Sequence, residues 1–157
     1  MTDKVAGETV PAVVFSLRNR LFAFEQHGTA TLLPWLQRFV GTSPVPGLPA
    51  WSRGLLNVRG TVQMAVDLGH VLGFGQSDPG PDSRLIFLEH GPVQLGLLVD
   101  TEIGVRYLRP AGAASPDEST PFVIKTATLD AHTVAVLDGA AVIQFVAEQL
   151  GTPARVS

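Results

Sequence analysis

The side chains that could bind a metal ion are four histidines, His27, His70, His90 and His132. A metal site on a helix needs two histidines about four residues apart, so that both ligands reach one face. No two of these histidines have that spacing, and the chain contains no cysteine that could supply a thiolate ligand. The sequence therefore predicts neither a metal site nor a bound cofactor.

A second possible chemistry is carboxylate catalysis by Asp100 and Glu102, which follow an apolar stretch at alternating positions. Paired carboxylates can act as the acid and base of a hydrolase. Carboxylates that alternate at the end of a strand are more commonly solvated, or they pair with a nearby arginine. The chain has no serine in a nucleophile elbow and no phosphate-binding loop with a lysine. We therefore expect no enzymatic activity, and a hydrolase remains a rival hypothesis.

Arg59 is the only charged residue of the stretch LLNVRGTVQMAV, residues 55–66. An arginine at a turn between two strands has two ordinary roles. It can form an internal ion pair with an aspartate or glutamate, or it can offer its five donors to the carboxylate or carbonyl groups of a protein partner. Both roles stay open at this point.

Composition favours one compact domain that is rich in β structure. A chain of 157 residues can bury a substantial core, and 16 glycines and 12 prolines indicate many turns between short elements. The net charge is −3 and the basic residues are scattered, so nucleic acid is not an expected partner. The polar start and the lack of a long apolar segment predict a cytoplasmic protein without direct membrane insertion.

The elements that position these residues are predicted from periodicity and turn residues. The stretch TATLLPWLQRFVG is expected to form a helix that begins near Thr31 and ends at Gly41. The loop at residues 73–83, rich in Gly, Pro and Asp, is expected to divide two halves. Strands are expected in hairpins around the turns RNR, RG, HGP and DAH, and a C-terminal helix is expected to end at Gly151.

The two halves share one internal plan. GTVQMAVDLGHVL and HTVAVLDGAAVI each contain a turn, a Thr-Val pair, an apolar strand, an aspartate and a short apolar helix. Asp67 and Asp138 stand where the N-cap of each helix would be. The echo predicts two small barrels, each followed by a helix.

With these patterns in place, the chain resembles the CheW family of chemotaxis coupling proteins from about residue 13 to 150. The similar segments are PGLPAWSRGLLNVRGTVQMAVDL, QLGLLVDTEIGV and AHTVAVLDGAAVI. The resemblance implies a mainly β fold of two SH3-like five-stranded barrels with short helices. It also implies a single domain over residues 13–151, divided near the 73–83 loop, with flexible tails at 1–12 and 152–157.

The resemblance further implies a noncatalytic adaptor with two protein partners. These are a CheA-type histidine kinase and the cytoplasmic domain of a chemoreceptor, in chemotaxis or in pilus-based or other receptor–kinase systems. The adaptor would be cytoplasmic and recruited to membrane receptor arrays. The alternative hypothesis is a β-barrel that binds or senses a small molecule in an apolar cavity of several hundred Å³.

Six residues form the expected partner-binding site. Asn57, Arg59 and Gly60 match the Asn-x-Arg-Gly motif of the family, a region associated with receptor contact. Leu48 and Pro49 are expected to flank the same groove. Trp51 is expected to be an exposed anchor, because it lies in a proline-rich connector.

Overall fold

The computed structural model describes residues 9–25, 31–38, 46–58, 60–90, 93–110 and 120–150. Within these ranges the chain forms ten strands and two short helices. In chain order they are β1 (Val10–Leu17), β2 (Arg20–Glu25), β3 (Thr31–Arg38), β4 (Ser52–Val58), β5 (Thr61–Asp67), α1 (Leu68–Val71), β6 (Arg84–His90), β7 (Val93–Val99), β8 (Thr101–Pro110), β9 (Val123–Leu129), β10 (His132–Leu137) and α2 (Gly139–Gln149).

The strands form two five-stranded sheets. One is a closed barrel in the order β1-β2-β10-β9-β8, and the other has the order β3-β6-β7-β5-β4. The predicted mainly β fold with two five-stranded units is confirmed. Residues 10–12 belong to β1, so the expected N-terminal tail at 1–12 is too long.

The two halves of the chain exchange their first hairpins. β1–β5 with α1 and β6–β10 with α2 follow the same order of elements, which bears out the sequence repeat. β10 pairs in parallel with β2, and β5 pairs in parallel with β7. Each sheet therefore takes a hairpin from one half and three strands from the other. The expected division into barrels at the 73–83 loop is wrong, because both sheets draw strands from either side of it.

The hairpin turns follow local turn chemistry. Arg18 and Asn19, between β1 and β2, have φ values of 51° and 65°. Asp130 and Ala131, between β9 and β10, have φ values of 50° and 70°. Two successive residues with positive φ are typical of type I′ turns, whose twist matches that of the flanking strands. Both predicted hairpins are confirmed.

The helix predicted over TATLLPWLQRFVG is wrong, because residues Thr31–Arg38 form strand β3. β3 pairs with β6, and the register shifts between Leu32 and Leu36, a stretch that contains Pro34. Proline lacks a backbone donor and is tolerated in a sheet at an edge or a bulge. A short apolar run does not distinguish a helix from a strand by itself, and here β6 supplies the pairing partner. Gly41, the expected helix end, lies outside the described residues.

Three groups of buried side chains hold the sheets. Ala12, Val14, Ala23, Leu108, Ala127, Val134 and Val136 fill the interior of the closed barrel. A second, smaller group consists of Ala65, Leu85, Phe87 and Leu98, on one face of the second sheet. The largest group lies between the sheets and includes Phe15, Phe22, Phe24, Val66, Leu68, Leu97, Leu137, Val142 and Ile143. This group, the shared core, joins strands of both sheets and both helices.

Both predicted helix caps are confirmed. The Asp67 carboxylate accepts a hydrogen bond from the His70 backbone N–H at 3.2 Å. The Asp138 carboxylate accepts one from the Ala141 backbone N–H at 3.1 Å. Each bond satisfies a free donor in the first turn of a helix. The repeat in the sequence thus corresponds to a repeated strand-cap-helix unit.

Candidate functional site

The β4–β5 hairpin closes tightly at its tip, because Val58 pairs with Thr61 across it. The Asn57 Oδ1 accepts a hydrogen bond from the Gly60 backbone N–H at 2.8 Å. Gly60 has φ +84°, a conformation that costs glycine little and other residues more. The expected turn is therefore confirmed, with Asn57 tying it to its own backbone. Arg59 lies outside the described residues, so its role as a partner contact stays a prediction.

Val62 is an exposed apolar residue beside this tip, and the sequence reasoning missed it. It lies opposite Asn57 in the β4–β5 register and is 61% exposed. Met64 and Val66 alternate with it on the same strand face, and they pack against or within the shared core. The sequence shows the alternation of apolar residues along this strand. It does not show which of them lies beyond the shared core. Val62 is thus the member of the row that extends past the core.

A row of polar side chains crosses the second sheet at the same end. Gln63 Nε2 donates to Gln94 Oε1 at 3.1 Å, and Gln94 Nε2 donates to Glu89 Oε2 at 2.9 Å. An ionised carboxylate can only accept, so Glu89 sets the orientation of the Gln94 amide, which in turn sets that of Gln63. These bonds join β5, β7 and β6 next to the hairpin tip. They hold the base of the hairpin in one arrangement.

The structure places the described residues of the predicted site at the two ends of β4. Leu48 and Pro49 are half-buried and precede the start of β4, whereas Asn57 and Gly60 lie at its far end. At about 3.3 Å per residue, a seven-residue strand separates the two groups by about 20 Å. A groove shared by both groups would have to run along the whole of β4, so the shared groove stays a prediction. The site divides into a hairpin tip and a connector.

The expectation that Trp51 is an exposed anchor is wrong. Trp51 is 6% exposed, and its ring centroid lies 6.4 Å from that of Phe145 on α2. Its backbone carbonyl accepts a hydrogen bond from the Asp67 N–H at 2.7 Å. A proline-rich connector suggested exposure, but the tryptophan packs into the shared core. Trp51 thereby fixes the connector rather than offering a contact.

The carboxylates Asp100 and Glu102 are engaged by arginines. The Arg18 backbone N–H donates to Asp100 Oδ2 at 2.7 Å, and its guanidinium lies 3.6 Å from Asp100 Oδ1. Arg84 Nε lies 3.2 Å from Glu102 Oε1. The arginine-pairing interpretation of these two residues is confirmed.

An open cleft of about 410 Å³ lies beside Arg18. Its lining consists of Arg18, Gln76, Asp78, Gly80, Pro81, Asp82, Ser83 and Asp100. This polar cleft differs from the cavity lined by Leu, Val and Phe that the small-molecule hypothesis requires. The interior of the closed barrel offers no support for that hypothesis either, because its own side chains fill it.

In the part of the chain that the structure describes, no three His, Cys, Asp or Glu side chains are grouped so that they could hold a metal ion. Neither described helix has the length and apolar composition that crossing a membrane requires.

Comparison with known proteins agrees with the fold. The family model described as CheW-like domain matches residues 11–147. Over 63 residues the chain is 35% identical to Protein PilI of Pseudomonas aeruginosa, a match that covers 40% of this chain and 35% of PilI. The chain thus matches about a third of the length of that relative.

A solved structure shows the same fold. The scaffolding protein TtCheW from Thermoanaerobacter tengcongensis superposes with a TM-score of 0.66 at 23% identity, covering 83% of this chain and 84% of that one. Proteins of the matched family are noncatalytic scaffolds. Because the family model spans nearly the whole described chain, the protein belongs to the family of CheW-like domains.

Proposed function

We propose that this protein is a noncatalytic adaptor that couples a chemoreceptor-type sensor to a CheA-type histidine kinase. Membership of the CheW-like family supports the adaptor class. The observation that carries the proposal is the hairpin tip, where Asn57 fixes the turn at Gly60 and Val62 is 61% exposed. An exposed apolar side chain on a rigid turn binds a partner with little loss of conformational entropy.

The receptor-binding residues in this proposal are Asn57, Arg59, Gly60 and Val62. Val62 supplies apolar area, and Arg59 supplies directional donors to carboxylate or carbonyl groups of the receptor. The polar row behind the hairpin keeps the tip in place. We assign the adaptor to the cytoplasm, where the receptor tips recruit it to membrane arrays.

Leu48 and Pro49 are a secondary contact in this proposal. They are half-buried and lie about 20 Å from the tip along β4. A receptor helix rises about 1.5 Å per residue, so it needs about 13 residues to touch both places. A helix of that length laid along β4 contacts both places, whereas a short peptide reaches one place only.

Signal passage in this adaptor is geometric. The shared core joins both sheets, so kinase and receptor are held in one relative arrangement when each binds the adaptor. When the receptor changes conformation, its affinity for the adaptor differs between its two states. Because the adaptor also holds the kinase, this difference shifts the conformational equilibrium of the kinase. No chemical step by the adaptor is required.

The proposal is tested by measuring the affinity of the full chain for the receptor cytoplasmic domain and its melting temperature. Arg59→Ala and Val62→Ser are each expected to lower receptor affinity about tenfold, which is about 1.4 kcal/mol. Their melting temperatures are expected to stay close to that of the wild type. Ile124→Ser is the matched control, because Ile124 is also exposed, at 51%, but lies on the other sheet.

Three results would contradict parts of this proposal. An Arg59→Ala variant that melts much earlier indicates an internal ion pair instead. Unchanged receptor affinity in both hairpin variants removes the tip from the receptor interface. Failure of the wild-type chain to bind either a receptor or a histidine kinase from its own cell refutes the adaptor role itself.

A further inference from the structure

The outer face of β8, a strand of the closed barrel, carries a line of exposed side chains. Val105, Tyr107 and Arg109 alternate along the strand, and Val105 and Tyr107 are 44% and 65% exposed. Leu108 points the opposite way, into the barrel interior. Tyr107 lies opposite Pro11 of β1, which is half-buried. An apolar residue, an aromatic ring and a cation thus stand in line on one sheet face.

The cations of this strand are Arg106 and Arg109. The acidic residues of the barrel that form described ion pairs do so with bases other than these two arginines. The pairs are Arg18 with Asp100, Arg84 with Glu102 and Lys125 with Glu25. Among the residues that the structure describes, no carboxylate lies within ion-pair distance of Arg106 or Arg109. Within the same described ranges, the Arg106 guanidinium donates to the neighbouring Val105 carbonyl at 3.0 Å. In a chain of net charge −3, this strand is a local basic exception.

The pairing of β8 indicates the shape of what binds there. β1 pairs with it from Thr101 to Leu108, whereas β9 pairs with it at Arg109 and Pro110. In the described part of the chain, the segment 103–108 therefore has a strand partner on one edge. Unpaired backbone N–H and C=O groups on an open strand edge can form hydrogen bonds with an added strand. Contacts with every second side chain of the added strand then give specificity. An extended segment fits this edge better than a helix.

We propose that β8 binds an extended segment of a protein partner that carries an acidic residue next to an apolar or aromatic one. The acidic residue pairs with Arg109, and the apolar residue covers Tyr107 and Val105. Charge complementarity makes binding at this surface specific for acidic segments, and it raises the association rate at low salt. Aromatic and arginine side chains are also the residue types that contribute most at interfaces.

This surface gives the proposed adaptor its second binding face. The hairpin tip belongs to the sheet that contains β4, whereas β8 belongs to the closed barrel. Two partners can therefore be bound at once without competing for the same strands. The identity of the partner rests on the proposed function, but the chemistry of the surface does not.

A peptide probe tests the surface without assuming a partner. The probe is an extended peptide of about seven residues, the length of 103–109, that alternates glutamate with valine and has one phenylalanine. The control peptide has lysine in place of glutamate. In NMR titrations of the full chain, the acidic probe is expected to shift amides of β8, and the basic probe is not. The shifts are expected to decrease as salt is added.

Variants separate the contributions of charge and ring. Arg109→Glu and Tyr107→Ser are each expected to weaken acidic-probe binding about tenfold, whereas Arg109→Lys retains the charge and loses less. Ile124→Ser, an exposed apolar change outside the row, is the control and is expected to have no effect. Measuring the same variants against kinase and receptor shows which partner uses β8.

Two outcomes overturn the inference. If the acidic probe shifts no β8 amide, or binds as well to Arg109→Glu as to the wild type, the arginines instead protect the open edge from strand pairing. If hairpin variants lose receptor binding while β8 variants bind both partners like the wild type, the adaptor role stands and the β8 surface does not.

Discussion

Asp67 and Asp138 are equivalent caps in the sequence repeat, yet the structure predicts that they differ in their contribution to stability. Asp138 is half-buried, and among the described residues its side chain accepts one hydrogen bond, from the Ala141 N–H at 3.1 Å. Asp67 is fully buried and accepts two further bonds, from the Ser77 N–H and the Ser77 hydroxyl, both at 2.7 Å. Replacing each aspartate by alanine therefore compares two losses of stability. Asp138→Ala removes a helix cap alone, whereas Asp67→Ala also removes the bonds that hold the loop at Ser77.

The expected magnitudes follow from these bonds. Loss of an N-cap costs about 1 kcal/mol, which is the expected effect of Asp138→Ala. Asp67→Ala adds the cost of leaving the buried Ser77 N–H without an acceptor, so about 3 kcal/mol in all is expected. An unfolding entropy of about 2.1 cal/mol/K per residue gives about 0.33 kcal/mol/K for 157 residues. The melting temperature should therefore fall by about 3 °C for Asp138→Ala and about 9 °C for Asp67→Ala.

The assay is thermal unfolding followed by circular dichroism, with both variants and the wild type at one concentration. Asp67→Asn is a useful intermediate variant. Its amide oxygen can still accept a hydrogen bond, but its amide nitrogen replaces an acceptor with a donor that lies opposite another donor. An intermediate loss is expected. Equal losses for the two alanine variants would refute the reasoning, because the Ser77 bonds would then add nothing to the stability of the fold.

Two further predictions concern the predicted site residues. Gly60→Ala should cost about 1–2 kcal/mol from its positive φ alone, since a Cβ there meets no atom within 4 Å. The control Gly80→Ala, where the space is equally open and no positive φ is found, should be close to neutral in the same melts. Trp51→Ala should cost about 3–5 kcal/mol because the ring is in the core, whereas Val62→Ser should change stability by less than about 0.5 kcal/mol. Unchanged melting of Trp51→Ala would show that the ring is a surface contact after all.

The features that were predictable from the sequence are local ones. Asn19 in the first turn, Gly60 in the β4–β5 turn and the aspartates at the two caps act through their own backbone neighbours. Their chemistry is the same in any fold that contains the turn or the helix start. The arginine pairing of Asp100 was also anticipated, because a carboxylate at a strand end commonly finds a nearby base.

The features that were missed depend on residues far apart in the chain. β3 is a strand because β6 lies beside it, and nothing within the stretch TATLLPWLQRFVG reveals that neighbour. Trp51 is buried because α2, about a hundred positions later, supplies Phe145. The separation of Leu48 from Asn57 follows from the length of β4, which a motif-based grouping ignores. Long-range pairing overrides local pattern in each case.

The exchange of hairpins between the halves connects the fold with the proposed function. The parallel pairs β2–β10 and β5–β7 each join one half of the chain to the other. The halves therefore cannot move apart at the 73–83 loop without breaking backbone hydrogen bonds in both sheets. The shared core adds Phe15 and Phe22 from the barrel to Val66 and Leu97 from the second sheet, in a close-packed interior that deforms little. Partners bound at the two proposed surfaces, the hairpin tip and β8, would therefore act on one body, and a displacement at either surface would be carried to the other instead of being absorbed between two hinged domains.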